Sequence, residues 1–133
     1  MPEATVIPQN APVWVVEDDH DAARLAMEMC EAYGVISRHF TAGDAYRQAL
    51  AVEVAPAAVV LDWRLREMVS ASLYLFTRSR YANLPIIYWT VVQSHELPDV
   101  ITLGKFNRVV AKSEGLDAFM SALEWALPPS PKV

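Results

Sequence analysis

Four apolar runs in this 133-residue chain each end in a residue that can do chemistry. Val13-Trp14-Val15-Val16 leads into Glu17-Asp18-Asp19, and Ala57-Ala58-Val59-Val60-Leu61 leads into Asp62. The run that starts at Pro85 reaches Thr90, and Val109-Val110-Ala111 reaches Lys112. Acids, a hydroxyl and an ammonium brought to one place can hold a hard divalent cation and a phosphoryl group. Packed acids repel: two charges about 4 Å apart cost roughly 4 kcal/mol at an effective dielectric of about 20. A cation relieves that cost. An oxygen-only donor set without Cys or His selects Mg²⁺, Mn²⁺ or Ca²⁺ over zinc. Two or three carboxylates completed by water suit Mg²⁺ and a phosphoryl partner. A carboxylate in such a site can be a nucleophile that forms an acyl phosphate. Lys112 would neutralise charge on the phosphoryl oxygens, and the Thr90 hydroxyl would donate to them.

The elements that must position these groups follow from periodicity. Strands are expected at 13–16, 35–40, 57–61, 85–92 and 108–111. The run at 57–61 lacks alternation, as in a strand buried on both faces of a parallel sheet. A helix is expected over 21–33, with Ala22, Leu25, Ala26, Met29 and Tyr33 at helical spacing and Gly34 closing it. Asp19 is a candidate cap for it. Thr41, with Asp44 three residues on, reads as a capping box for a second helix buried along Ala42, Ala45, Tyr46, Ala49 and Leu50. A third helix is expected near Ser70–Arg80. Over 93–104 any helix is short and starts near Pro98, because proline does not fit a helix interior. The last helix spans 116–127, burying Leu116, Phe119, Met120, Leu123 and Leu127. Alternating strands and helices with right-handed crossovers predict a flavodoxin-like, doubly wound (βα)5 domain, an α/β fold with a five-stranded parallel sheet in the order 2-1-3-4-5. Its strand C-termini share one edge, where ligands bind.

Composition bounds the rest. The chain is 53% hydrophobic and 20% charged, so it is globular, and its net charge of −5 with scattered Lys and Arg argues against a nucleic-acid surface. No apolar stretch approaches a membrane span, and no secretory signal is evident. The single cysteine, Cys30, excludes an internal disulfide framework, fits a reducing cytosol and reads as core filler. Residues 1–12, with three prolines, read as a loose arm; 13–127 form the domain; 128–133 read as a Pro-rich tail or a cut linker. His20, His39 and His95 sit at no metal-ligand spacing. Trp63 and Trp89 read as core or lid packing or as partner anchors. Trp14 and Trp125 read as core or dimer-face residues, which leaves a homodimer open. The four glycines, 34, 43, 104 and 115, form no phosphate-cradling loop.

The four motifs, in this order and at these strand ends, resemble the receiver domain of two-component response regulators over 13–127. The resemblance implies a cytoplasmic, bacterial-type phosphoacceptor at Asp62, fed by a sensor histidine kinase or a phosphotransfer protein. Glu17 and Asp18 would be the acidic pair holding Mg²⁺ with Asp62, and Arg64 would offer its backbone carbonyl. Thr90 and Lys112 would serve the phosphoryl group. Such a domain catalyses its own phosphorylation and hydrolysis, is not an enzyme in the usual sense, and signals to a downstream protein or a fused effector. Departures from the family pattern accompany the match. The turn 66–70 lacks the usual proline and glycines. Val91 replaces a very small residue, Val109 replaces an aromatic, and Ser113 replaces a proline after the lysine. They leave a second reading open, a degenerate receiver working as a phosphorylation-independent interaction module. A phosphatase with an aspartate nucleophile would need an acid at Arg64.

Overall fold

The computed structural model describes residues 11–65 and 70–128. Five parallel strands, β1 (Val13–Val16), β2 (Ser37–Phe40), β3 (Ala58–Leu61), β4 (Ile86–Thr90) and β5 (Asn107–Ala111), pair in the order β2-β1-β3-β4-β5. The expected flavodoxin-like topology is therefore the observed one. All residues of β1, β3 and β4 are buried. Helices α1 (His20–Tyr33) and α5 (Leu116–Ala126) cover one face of the sheet, and α2 (Gly43–Val52), α3 (Ser70–Arg80) and α4 (Asp99–Thr102) cover the other. Strand alternation sorts the side chains. Trp14, Val59, Ile86 and Tyr88 point to the α2/α3 side, while Val13, Val60, Ile87 and Trp89 point to the α1/α5 side. No helix among the described residues is long and apolar enough to cross a membrane.

Local signals explain α1. The Asp19 carboxylate accepts the Ala22 N–H at 3.2 Å, which satisfies one of the free donors of the first turn. Gly34 ends the helix at φ 98°, a left-handed conformation that costs glycine little. The deepest face is Ala23, Ala26 and Cys30, so of the expected stripe Ala26 lies at the centre of the contact and Ala22, Leu25, Met29 and Tyr33 flank it. Small residues there let α1 approach the sheet closely. Burial pushes the Cys30 thiol up to about 12, in keeping with a core residue.

Two expectations for helices need correction. α2 starts at Gly43 with Ala42 as its cap and no side-chain cap bond, so Thr41 does not cap it; Asp44 instead meets Arg47 at 3.4 Å. Tertiary packing sets the phase here: the Tyr46 ring meets Trp14 and Phe40 at 6.2 and 6.1 Å, and that contact outweighs a surface cap. Tyr46, Ala49 and Leu50 of the expected stripe are buried, whereas Ala45 is exposed, Ala42 half-buried and Gly43 buried in their place. In α5, Phe119, Leu123 and Leu127 are buried as expected, Ala122 and Ala126 join them, and Leu116 is exposed. The segment after β4 follows expectation: a 3₁₀ turn at Ser94–Glu96, then four residues of α4 capped by Pro98.

The arm and the tail lie largely outside the described residues. Ala11 is buried, and the Pro12 carbonyl accepts the Ala57 N–H at 2.8 Å. At the same edge of the sheet Arg78 ties four segments. Its guanidinium donates to the carbonyls of Tyr81, Leu84 and Phe106 and to the Asn107 side chain. Asn107 in turn donates to the Tyr74 hydroxyl and to the Val100 and Ile101 carbonyls. A Cβ at Gly104 would lie 2.2 Å from the Asn107 amide, so glycine is required beside this clamp. Trp14 is buried within the core, which settles it as a core residue.

Among the described residues one buried side-chain group has no hydrogen-bond partner. The Tyr88 hydroxyl has no hydrogen bond, although the ring is fully buried and meets Trp63 at 5.7 Å. An unsatisfied buried hydroxyl costs about 1–3 kcal/mol. Tyr88→Phe should therefore raise stability, by roughly 1 kcal/mol, in urea unfolding at constant m-value. A loss of stability would mean that the hydroxyl is satisfied in solution.

Candidate functional site

Three strand ends meet at the C-terminal edge of the sheet. β1 and β3 are neighbours in register, Val16 opposite Leu61, so the residues that follow them, Glu17 and Asp62, emerge side by side. Both are buried, at 2% and 6% exposure, which is rare for acids without a partner. Lys112 supplies that partner from the end of β5. Its Nζ donates to Glu17 Oε1 at 2.8 Å and to Asp62 Oδ2 at 3.3 Å.

The backbone supports each acid. The Asp19 N–H donates to Glu17 Oε2 at 3.2 Å, and the Arg64 N–H donates to Asp62 Oδ1 at 3.1 Å. Each of these two acids thus has one oxygen on a main-chain amide and the other on Lys112. One oxygen each from Glu17, Asp18 and Asp62 lie within 4.8 Å of one another. Asp18 is half-buried beside the other two. This set fits a small divalent cation, because it is oxygen-only and clustered.

Thr90 closes β4 opposite Ala111, one residue before Lys112, and is fully buried. Its Oγ1 accepts the Val92 N–H at 3.3 Å, which leaves the hydroxyl proton free to donate outward. Val91 beside it is 61% exposed. Arg64 is exposed at the rim. Val109 is half-buried and pairs in register with Tyr88, on the same side of the sheet. Lys112 opens a 3₁₀ turn in which Glu114 Oε1 accepts the Ala111 N–H at 2.6 Å. Residues 66–69 of the turn after Asp62 lie outside the described residues.

Two side chains at the site escape sequence reasoning. His39 Nε2–H donates to the Glu17 carbonyl at 2.8 Å and so fixes the chain where β1 ends. Its ring stands edge-on to His20, centroids 6.3 Å apart. Trp89 is buried against Phe119 and presents its ring to the Lys112 ammonium, 5.3 Å from the centroid. Register gives the signal for Trp89, because the residue before Thr90 lies one strand from Lys112; spacing alone gives none for His39.

Burial dominates the electrostatics of Glu17 and lifts its carboxyl to about 7, against the Lys112 hydrogen bond and with help from the Asp62 charge. For Lys112, burial pulls down, but the Glu17 hydrogen bond and the Asp62 charge prevail and its affinity for a proton rises.

No family model matches the chain, and no curated protein matches its sequence. Solved structures do match its fold. The receiver domain of Francisella response regulator 1452 superposes with a TM-score of 0.74 at 19% identity, over 88% of this chain and 96% of that one. The signal receiver domain of a putative Luxo repressor protein from Vibrio parahaemolyticus gives 0.77 at 17% identity, over 88% and 89%. A CheY-like receiver domain from Methanospirillum hungatei gives 0.75 at 15% identity, over 86% and 91%. The chain has the response-regulator receiver fold.

The raised Glu17 carboxyl has a thermodynamic consequence. The folded state holds this proton more tightly than the unfolded chain, whose carboxyl titrates near 4.5. Its contribution is therefore full below about 4.5 and is lost as pH rises through about 7. Urea unfolding without divalent cations should show stability falling by about 1–3 kcal/mol between these limits. Glu17→Gln should flatten that slope; an unchanged slope would place its origin elsewhere.

Proposed function

We propose that the chain is a phosphoacceptor signalling domain in which Asp62 takes a phosphoryl group from the phosphohistidine of a sensor kinase or phosphotransfer protein. The observation that carries this reading is the Lys112 ammonium bridging two buried carboxylates, with Asp18 close enough to complete an oxygen-only cation site. An ammonium shared by Glu17 and Asp62 neutralises resting charge and is already in reach of oxygens added to Asp62.

Asp62 is the acceptor in this reading because it ends the central strand β3, between β1 and β4, so groups from both neighbours flank it. The Arg64 amide and Lys112 orient its two oxygens. An Asp62 oxygen attacks phosphorus, the phosphorus–nitrogen bond breaks, and the imidazole leaves. Lys112 follows the charge onto the phosphoryl oxygens, and the Thr90 hydroxyl turns its free proton to another. Glu17, Asp18, Asp62 and the Arg64 carbonyl would hold Mg²⁺, which supplies charge neutralisation for the developing phosphoryl oxygens. The domain acts in the cytoplasm on itself alone, hydrolyses its own acyl phosphate, and passes the signal to a protein partner or an attached effector.

A specific observation favours a modified output. α4 has only four residues, and on the face where the family's aromatic would stand Val109 is flanked by Tyr88, which is fully buried. The Thr90-linked movement is then small, and the partner reads the surface near Asp62 and the exposed Val91. In the extreme this becomes a constitutive interaction module.

Incubation with a small phosphodonor and Mg²⁺ should add one base-labile phosphoryl group, seen by intact mass. Asp62→Ala should abolish it, and Glu17→Gln with Asp18→Asn should slow it at least tenfold by weakening cation binding. An unlabelled wild type after prolonged incubation would favour the constitutive module. Labelling that persists in Asp62→Ala would remove Asp62 as acceptor.

A further inference from the structure

We infer that Trp89 is a positioning residue for Lys112: its indole face keeps the ammonium at the acid cluster when other partners take the carboxylate oxygens. The inference rests on the phosphoacceptor reading and adds to it a residue that reading does not use.

Lys112 Nζ has three neighbours. Two are the oxygens of Glu17 and Asp62, at 2.8 and 3.3 Å. The third is the Trp89 ring, 5.3 Å from Nζ to centroid, inside the roughly 6 Å reach of a cation–π attraction. Trp89 is 4% exposed and packs edge-on against Phe119 of α5, centroids 5.0 Å apart. The ring is thus wedged, and its face is a fixed feature of the site. The main chain under Lys112 is fixed too, through the bond from Ala111 to Glu114. Only the lysine stem is free, and four flexible carbons carry a strongly hydrated charge that leaves readily for water.

The two kinds of anchor respond differently to occupancy. A divalent cation on Glu17 and Asp62 competes for their oxygens and repels the ammonium. A phosphoryl group on Asp62 consumes one of those oxygens. The indole is untouched by either event, because it attracts the charge through its ring and accepts no N–H on an oxygen. An ammonium over Trp89 keeps its N–H groups available for phosphoryl oxygens. Leucine or methionine would keep the position apolar, at a smaller volume, yet offer no such face. Core packing alone therefore needs an apolar side chain at position 89, whereas the ammonium contact needs an aromatic one.

Ring-current shifts in the full chain separate these roles. The ε-methylene protons of Lys112, identified by their loss in Lys112→Met, should resonate upfield of those of lysine in a short unstructured peptide. They should stay there when Mg²⁺ saturates the protein. Trp89→Phe should reduce the shift and Trp89→Leu should erase it. Phosphoryl uptake from a small donor should fall about tenfold in Trp89→Leu and recover largely in Trp89→Phe. In a Lys112→Met background, Trp89→Leu should cause no further fall. A shift that vanishes with Mg²⁺ would overturn the inference, as would an equal loss of uptake in the Lys112→Met background. A wild type that takes up no phosphoryl group refutes the phosphoacceptor reading, while the magnetic-resonance comparison with and without Mg²⁺ still decides the role of Trp89. That comparison needs only the wild type and Lys112→Met, so it stands even where Trp89→Leu does not fold.

Discussion

A single ammonium between two buried carboxylates is the constraint on which the site depends. Glu17 and Asp62 have little access to water, and a buried acid without compensation is costly. Lys112 reaches them from 95 residues away from Glu17 in sequence, so the bond forms only when β1, β3, β4 and β5 are all in place. The parallel register brings this about. Each strand delivers its last residue to the same edge, and a one-residue slip would turn the whole set of side chains to the opposite face. Removing Lys112 would leave two buried carboxyls without their shared donor, which is a larger disturbance than losing a surface lysine.

The surroundings of the pair serve the same end without adding charge. Main-chain amides of Asp19 and Arg64 hold one oxygen of each acid. His39 holds the carbonyl of Glu17 from the edge strand β2. These donors hold the acids and the chain beneath them in place. Rigidity below and charge above divide the domain. Arg78 and Asn107 lock the N-terminal ends of β4 and β5, far from the acids. The opposite edge carries Glu17, Asp18, Asp62 and Lys112.

Legibility in the sequence followed burial. Strands buried on both faces are continuous apolar runs, so β1 and β3 and the residues just after them, Glu17 and Asp62, stand out. Pro98 marks the start of α4 for a stereochemical reason that holds in any context. Helix phase was less readable. Alanine and glycine lie at the tightest contacts of α1, α2 and α5, where closeness matters more than hydrophobicity, so Leu116 and Ala45 were misplaced. Thr41 looked like a cap because its side chain is suited to one, but Tyr46 decided where the helix begins. The links from His39 to Glu17 and from Trp89 to Lys112 join distant segments through side-chain direction, which carries no local pattern. The Arg78 clamp is invisible for the same reason.

The winding of the chain has a consequence for anything joined to it. β1 starts, and α5 ends, at the edge of the sheet opposite the acids; Val13, Ala58 and Leu127 share one cluster there. A body packed against Val13 or Leu127 would thus start a full strand length from Asp62. It would sense events at the acid cluster only at second hand, through the flanks of the helices. The geometry separates the edge that carries the acids from the edge where the described chain enters and leaves the sheet.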